Sequence, residues 1–119
     1  MTLVMNAQLT WTFFSESPVP NELPDTLVDG ERIIAAYKTS RDSAIFTNRR
    51  ILFQDLHGTA GKKAELYSLP YASIQMWSSE SGEAQSEIDI LTKVCFVKLI
   101  LDKEVDVNRL EKLIAKYSL

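Results

Sequence analysis

Residues 42–55, Asp-Ser-Ala-Ile-Phe-Thr-Asn-Arg-Arg-Ile-Leu-Phe-Gln-Asp, constrain the fold more than any other stretch of the chain. Two apolar, β-prone runs flank a Thr-Asn-Arg-Arg turn, and their Ile, Phe and Leu residues suit a pleated, half-buried surface. The spacing predicts a hairpin, with Asn48 supplying the left-handed backbone that a tight turn favours. The same pattern continues on either side. Short strands are expected over 33–40, 44–47, 51–56, 64–69, 72–78, 87–90 and 94–101, separated by Gly58 and Gly61, by Pro70 and by the polar stretch 79–85. Ile88 and Ile90 alternate with two acids, so they face inward. The 94–101 run is apolar on both faces, interrupted only by Lys98, and therefore needs cover on two sides. The last element supplies cover: Asp106 can cap a helix whose Val107, Leu110, Leu113, Ile114 and Tyr117 fall on one stripe. Seven strands and one C-terminal helix make a mainly β (α+β) chain, a small barrel whose open end the helix closes.

Residues 1–22 follow a different logic. Leu9, Trp11 and Phe13 alternate with Gln8, Thr10 and Thr12 as in a strand, and the Pro-containing stretch 15–20 then stops it. Two readings stand side by side: an N-terminal arm lying on its own domain, or an arm pairing with a neighbouring subunit. The second draws on Trp11, Phe13 and Phe14, which are too apolar to stand in water. Residues 24–29 predict a short helix, with Pro24 near its first position and Gly30 as its left-handed stop. The expected organisation is an arm over 1–22 and one domain over 23–119.

Composition narrows the function. A chain of 119 residues supports one core. The single cysteine, Cys95, excludes an internal disulfide and suits a reducing compartment. Without a secretory pattern, or an apolar run near the roughly 20 residues that span a bilayer, a cytoplasmic location is expected. A net charge of −3 argues against nucleic acid as a partner. Charge is unevenly spread: residues 1–31 carry five acids and no base, whereas 32–63 carry seven bases and two acids. Enzymatic chemistry is not indicated. His57, the single histidine, lies in a glycine-bearing loop with no nucleophile at motif spacing, and Cys95 sits mid-strand like a small core residue. One His and one Cys do not make a metal site. The loop 58–63 lacks phosphate-loop glycine spacing and leads into a strand, not a helix. Neither a cofactor nor a metal is expected.

Several motifs occur in a telling order: Leu27-Val28-Asp29-Gly30-Glu31, Arg41-Asp42, Ile45-Phe46-Thr47-Asn48-Arg49-Arg50, Asp55-Leu56-His57-Gly58, Gly61-Lys62-Lys63, Ser68-Leu69-Pro70-Tyr71-Ala72-Ser73-Ile74 and Val105-Asp106-Val107. Over about residues 23–118 the sequence resembles the bacterial pleckstrin-homology domains. The resemblance implies a seven-stranded, strongly bent barrel plugged by one helix, and subunits that assemble into closed rings. It implies no activity. Glu80, Glu83, Gln85 and Ser86 depart from the pattern, in which apolar and Asp-rich residues are expected.

Two functional expectations follow. The first is a non-enzymatic module that self-assembles into a ring and binds an unidentified peptide or small ligand at subunit clefts. Its contacts would come from Trp11, Phe13, Phe14, Val94, Phe96 and Ile100, with the acidic arm of one subunit docking on the basic segment of the next. The alternative is a monomeric module that binds anions or phospholipid headgroups at a membrane surface. There, Lys38, Arg41, Arg49, Arg50, Lys62 and Lys63 would grip phosphate oxygens. Because alternate turns of a barrel face opposite ends, these six residues need not converge.

Overall fold

The hairpin forms: β3 (Asp42–Thr47) and β4 (Arg50–His57) run antiparallel, with Ala44 opposite Phe53, Ile45 opposite Leu52 and Phe46 opposite Ile51. The structure, a computed structural model, describes residues 7–19, 25–57 and 63–119. Before the hairpin come β1 (Ala7–Ser17) and β2 (Ile33–Thr39). After it come β5 (Lys63–Pro70), β6 (Met76–Glu80), β7 (Gln85–Leu91), β8 (Cys95–Asp102) and the helix α1 (Val107–Ser118). They form one eight-stranded sheet in the order β5-β4-β3-β2-β1-β8-β7-β6.

The first strand corrects the expectation of an arm. β1 lies in the middle of the sheet, antiparallel to β2 and parallel to β8, so the described sheet has eight strands where seven were expected. Its alternation works as read, but inside the subunit: Trp11 is 1% exposed and Phe13 0%, so neither is available as the intersubunit contact proposed for it. Trp11 stacks on Phe53 at 4.3 Å between ring centroids, and Phe13 on Tyr37 at 5.3 Å. Phe14, at a register shift between Phe13 and Ser15, remains 44% exposed.

Elsewhere the sheet departs from expectation at two corners. Residues 25–30 form turns instead of a helix, although Gly30 does take the left-handed backbone at φ +81°; Pro24 lies outside the described residues. Strand β6 starts at Met76, not Ala72, because Tyr71–Ser73 forms a single 3₁₀ turn. Ser73 Oγ donates to the Pro70 carbonyl at 2.7 Å and closes it.

The inward residues of the bent sheet meet α1 in one core. Asp106 accepts from the Asn108 and Arg109 amides as the expected cap, and Leu110, Leu113 and Ile114 are buried. The helix packs on β7 and the 3₁₀ turn, where Tyr117 stacks on Tyr71 at 5.4 Å. Trp77 Nε1 donates to Glu111 Oε2 at 2.6 Å. On β8, Val97, Leu99 and Leu101 are fully covered, while outward Phe96 and Ile100 stay half-buried, so only one face of this two-faced strand is sealed. A smaller cluster, Ala36, Ile45 and Leu52, lies under Leu27 and Ile33.

Candidate functional site

The motif that carries the resemblance is a structural clamp. Thr47 Oγ1 accepts from the Arg49 and Arg50 amides, each at 3.0 Å, which folds the turn, and its hydroxyl donates to Glu31 Oε2 at 2.7 Å. Asn48 is not among the described residues with positive φ, so the left-handed role expected of it is not used. Its side chain grips instead: Oδ1 accepts from the Arg32 amide at 2.7 Å and Nδ2 donates to the Gly30 carbonyl at 3.2 Å. Arg50 donates to both Glu31 oxygens at 2.9 and 3.0 Å, to the Thr26 carbonyl at 2.7 Å and to Ser68 Oγ at 3.1 Å. Burial alone would raise the Glu31 carboxyl, but hydrogen bonds from Arg50, Thr47 and the Val28 amide hold it down to about 2. Tyr71, whose hydroxyl is pushed well above the usual phenol range by burial, donates to the Thr47 carbonyl at 2.8 Å.

Of the other expected cations among the described residues, only Arg49 stands beside this clamp. Arg41 Nη1 pairs with Asp55 Oδ2 at 3.1 Å, and its guanidinium lies 5.2 Å from the centre of the Trp11 ring. Arg50 and Asp55 stand near opposite ends of β4, about 17 Å apart at the usual strand rise. Lys38 and Lys63 are exposed on the Arg41 side, Arg49 reaches the Asp29 carbonyl at 3.4 Å on the other, and Lys62 lies outside the described residues. The proposed anion site is therefore split, and its two best-placed guanidiniums are engaged. Two acids of the acidic segment are likewise engaged internally: Glu16 takes two bonds from Arg109, at 3.1 and 3.2 Å, as Glu31 does from Arg50.

What the fold does create is a groove of about 750 Å³ where the sheet fails to close. Trp11, Phe53, Tyr67, Leu69 and Val97 form its floor, β5 one wall, and the turn between β7 and β8, at Thr92 to Cys95, the other. Glu65 and Lys93 stand at its rim. The Trp11 indole N–H is buried and has no acceptor among the described residues. Sequence reasoning missed the groove because its lining comes from β1, β4, β5, β8 and two connections far apart in the chain. The only available signal was Trp11, an aromatic residue alternating with threonines.

Beside the groove runs an apolar row on the outer face. Met76 pairs with Leu91 and Leu91 with Phe96, and paired residues share a face; Met76 is 63% exposed and Leu91 also exposed. Val94, 51% exposed, belongs both to this rim and to the groove lining. Of the six residues expected at subunit contacts, Phe14 and Val94 are exposed, Phe96 and Ile100 half-buried, and Trp11 and Phe13 inaccessible.

A bent, open sheet plugged by a C-terminal helix defines a pleckstrin-homology-like module. The pattern of the family described as "Bacterial PH domain" matches residues 3–118, and the chain belongs to that family. The match includes β1, which lies outside the resemblance over about residues 23–118. The chain is 39% identical over 79 residues to the uncharacterized protein YjqA of Bacillus subtilis, covering 64% of this chain but only 63% of YjqA. It is 30% identical over 106 residues to the uncharacterized protein YozO of the same organism, covering 87% of this chain and 92% of YozO. A crystal structure of a DUF1696 family protein with a pleckstrin-homology domain from Shewanella loihica PV-4 superposes with a TM-score of 0.66 at 31% identity, covering 78% of this chain and 84% of that one.

Proposed function

We propose that the chain is a non-enzymatic interaction module that joins head to tail with copies of itself into a ring and takes a peptide or small ligand at clefts beside the contacts. One observation carries this reading: an apolar row of exposed Met76 and Leu91 and half-buried Phe96 continues through exposed Val94 into the groove. Contiguous exposed apolar surface is the ordinary mark of an interaction site. A neighbour seated on the row would stand at the groove mouth and turn the groove into a cleft between subunits. Phe14 and the half-buried Ile100 offer a second apolar surface at the opposite end of the outer face. Contact between two unlike surfaces is heterologous, and such contacts close into rings when the rotation allows.

Light scattering of the purified protein tests this. The expected result is one species of several 13.5 kDa subunits whose mass is unchanged between low and high salt. The pair Met76→Asp and Leu91→Lys should shift it to monomer, since both side chains are exposed and the subunit keeps its core. A monomer at both salts removes the ring.

A further inference from the structure

The groove is incomplete in two ways, and each incompleteness has a chemical sense. Among the described residues, strand β5 pairs with β4 along one side only, so alternate backbone N–H and C=O groups on its other side face away from any described strand. At the rim, Glu65 is partnered by His57 at 3.8 Å and by the Tyr67 hydroxyl at 3.2 Å, whereas Lys93 has no ion pair among the described residues. Lys93, exposed at the rim, is thus a cation open to an anionic partner.

We propose that the groove binds an extended peptide as an added strand on the free edge of β5. Alternate apolar side chains of the peptide descend onto Phe53, Tyr67 and Leu69 beside the Trp11 ring, and an acidic residue at one end meets Lys93. A volume of about 750 Å³ lies within the range of ligand sites. An acyl chain would fill the apolar floor but leave the β5 edge unpaired; a strand answers edge, floor and rim together. This inference rests on the ligand-binding half of the function proposed above and is independent of the ring.

The test uses the ¹⁵N-labelled full chain and a pooled library of acetylated hexapeptides, apolar at alternate positions and acidic at one end. The two tryptophans give two indole N–H signals, and Trp77, already bonded to Glu111 at 2.6 Å, is the internal control. The expected result is movement of the Trp11 indole and the β5 amides with Trp77 unmoved. The same library N-methylated at alternate residues should bind about tenfold or more weakly, the value of one backbone hydrogen bond or more. Lys93→Glu, at an exposed position, should weaken the acidic library and strengthen one with lysine at that end. The proposal is overturned if the Trp11 and β5 signals stay still at millimolar peptide, or if N-methylation makes no difference. It is also overturned if decanoate displaces the peptide and moves the Trp11 indole without the β5 amides, which marks an apolar-ligand cavity. Light scattering on the same samples separates the two readings: a monomer that binds the library keeps this proposal and removes the ring, and an assembly that does not bind it does the reverse.

Discussion

A single carboxylate, Glu31, decides how residues 25–50 are held. Its side chain is wholly shielded, and it receives Arg50, Thr47 and the Val28 amide. Its carboxyl lies at about 2, below the ordinary 4.5, so the charged form is the one the fold stabilises. The contribution is therefore complete above pH 4.5 and is lost as pH falls toward 2. Urea unfolding between pH 7 and pH 2.5 should show Glu31→Gln losing about 3 kcal/mol at neutral pH, with a flatter acid limb than the parent chain. Tyr71→Phe removes the donor to the buried Thr47 carbonyl and should cost about 1–2 kcal/mol in the same assay, with no change in pH profile. In the sequence, Thr-Asn-Arg-Arg was legible as a turn but not as a clamp. The carboxylate that Arg50 needs lies on a connection before β2, and nothing in a one-dimensional reading distinguishes a guanidinium so engaged from a free one.

Among the elements, β1 carries the largest reassignment. The alternation of Leu9, Trp11 and Phe13 announced a strand, and the burial follows it. Which strands it pairs with was not legible, because its parallel partner β8 begins only at Cys95 and periodicity carries no information about distant pairing. Phe13→Ala should cost about 3–5 kcal/mol, as a fully buried aromatic does, and read out as a lowered denaturant midpoint. An arm docked on another subunit would instead lose assembly while leaving the subunit's stability nearly unchanged. The helix was the opposite case. Its cap and its stripe are both local signals, and Asp106, Leu110, Leu113 and Ile114 stand where the spacing placed them.

At the scale of the molecule, the architecture was readable because strand lengths, turns and helix stripe agree with one another. The groove was not, since a gap in a sheet is a property of closure and leaves no pattern in any one segment. The apolar row beside it was partly visible as Phe96 and Val94, while Met76 and Leu91 gave no signal separable from ordinary strand residues. Its effect is tested by mass: the Met76→Asp, Leu91→Lys pair should abolish assembly and leave the thermal midpoint within a few degrees of the parent, because exposed substitutions seldom exceed about 0.5 kcal/mol.

The position of β1 also sets an order of construction. Strands β2 to β5 form one meander of local pairings and β6 to β8 another, and β1 is the seam that joins them. During synthesis β1 is the first strand of the sheet to be made, yet its parallel partner is the last. Trp11 and Phe13 must therefore wait, unsealed on one side, until β8 has emerged. Closing so long a loop is slow compared with zipping a hairpin. The middle of this sheet is finished last, and a nascent chain stalled before β8 would expose two aromatic residues that the completed protein buries.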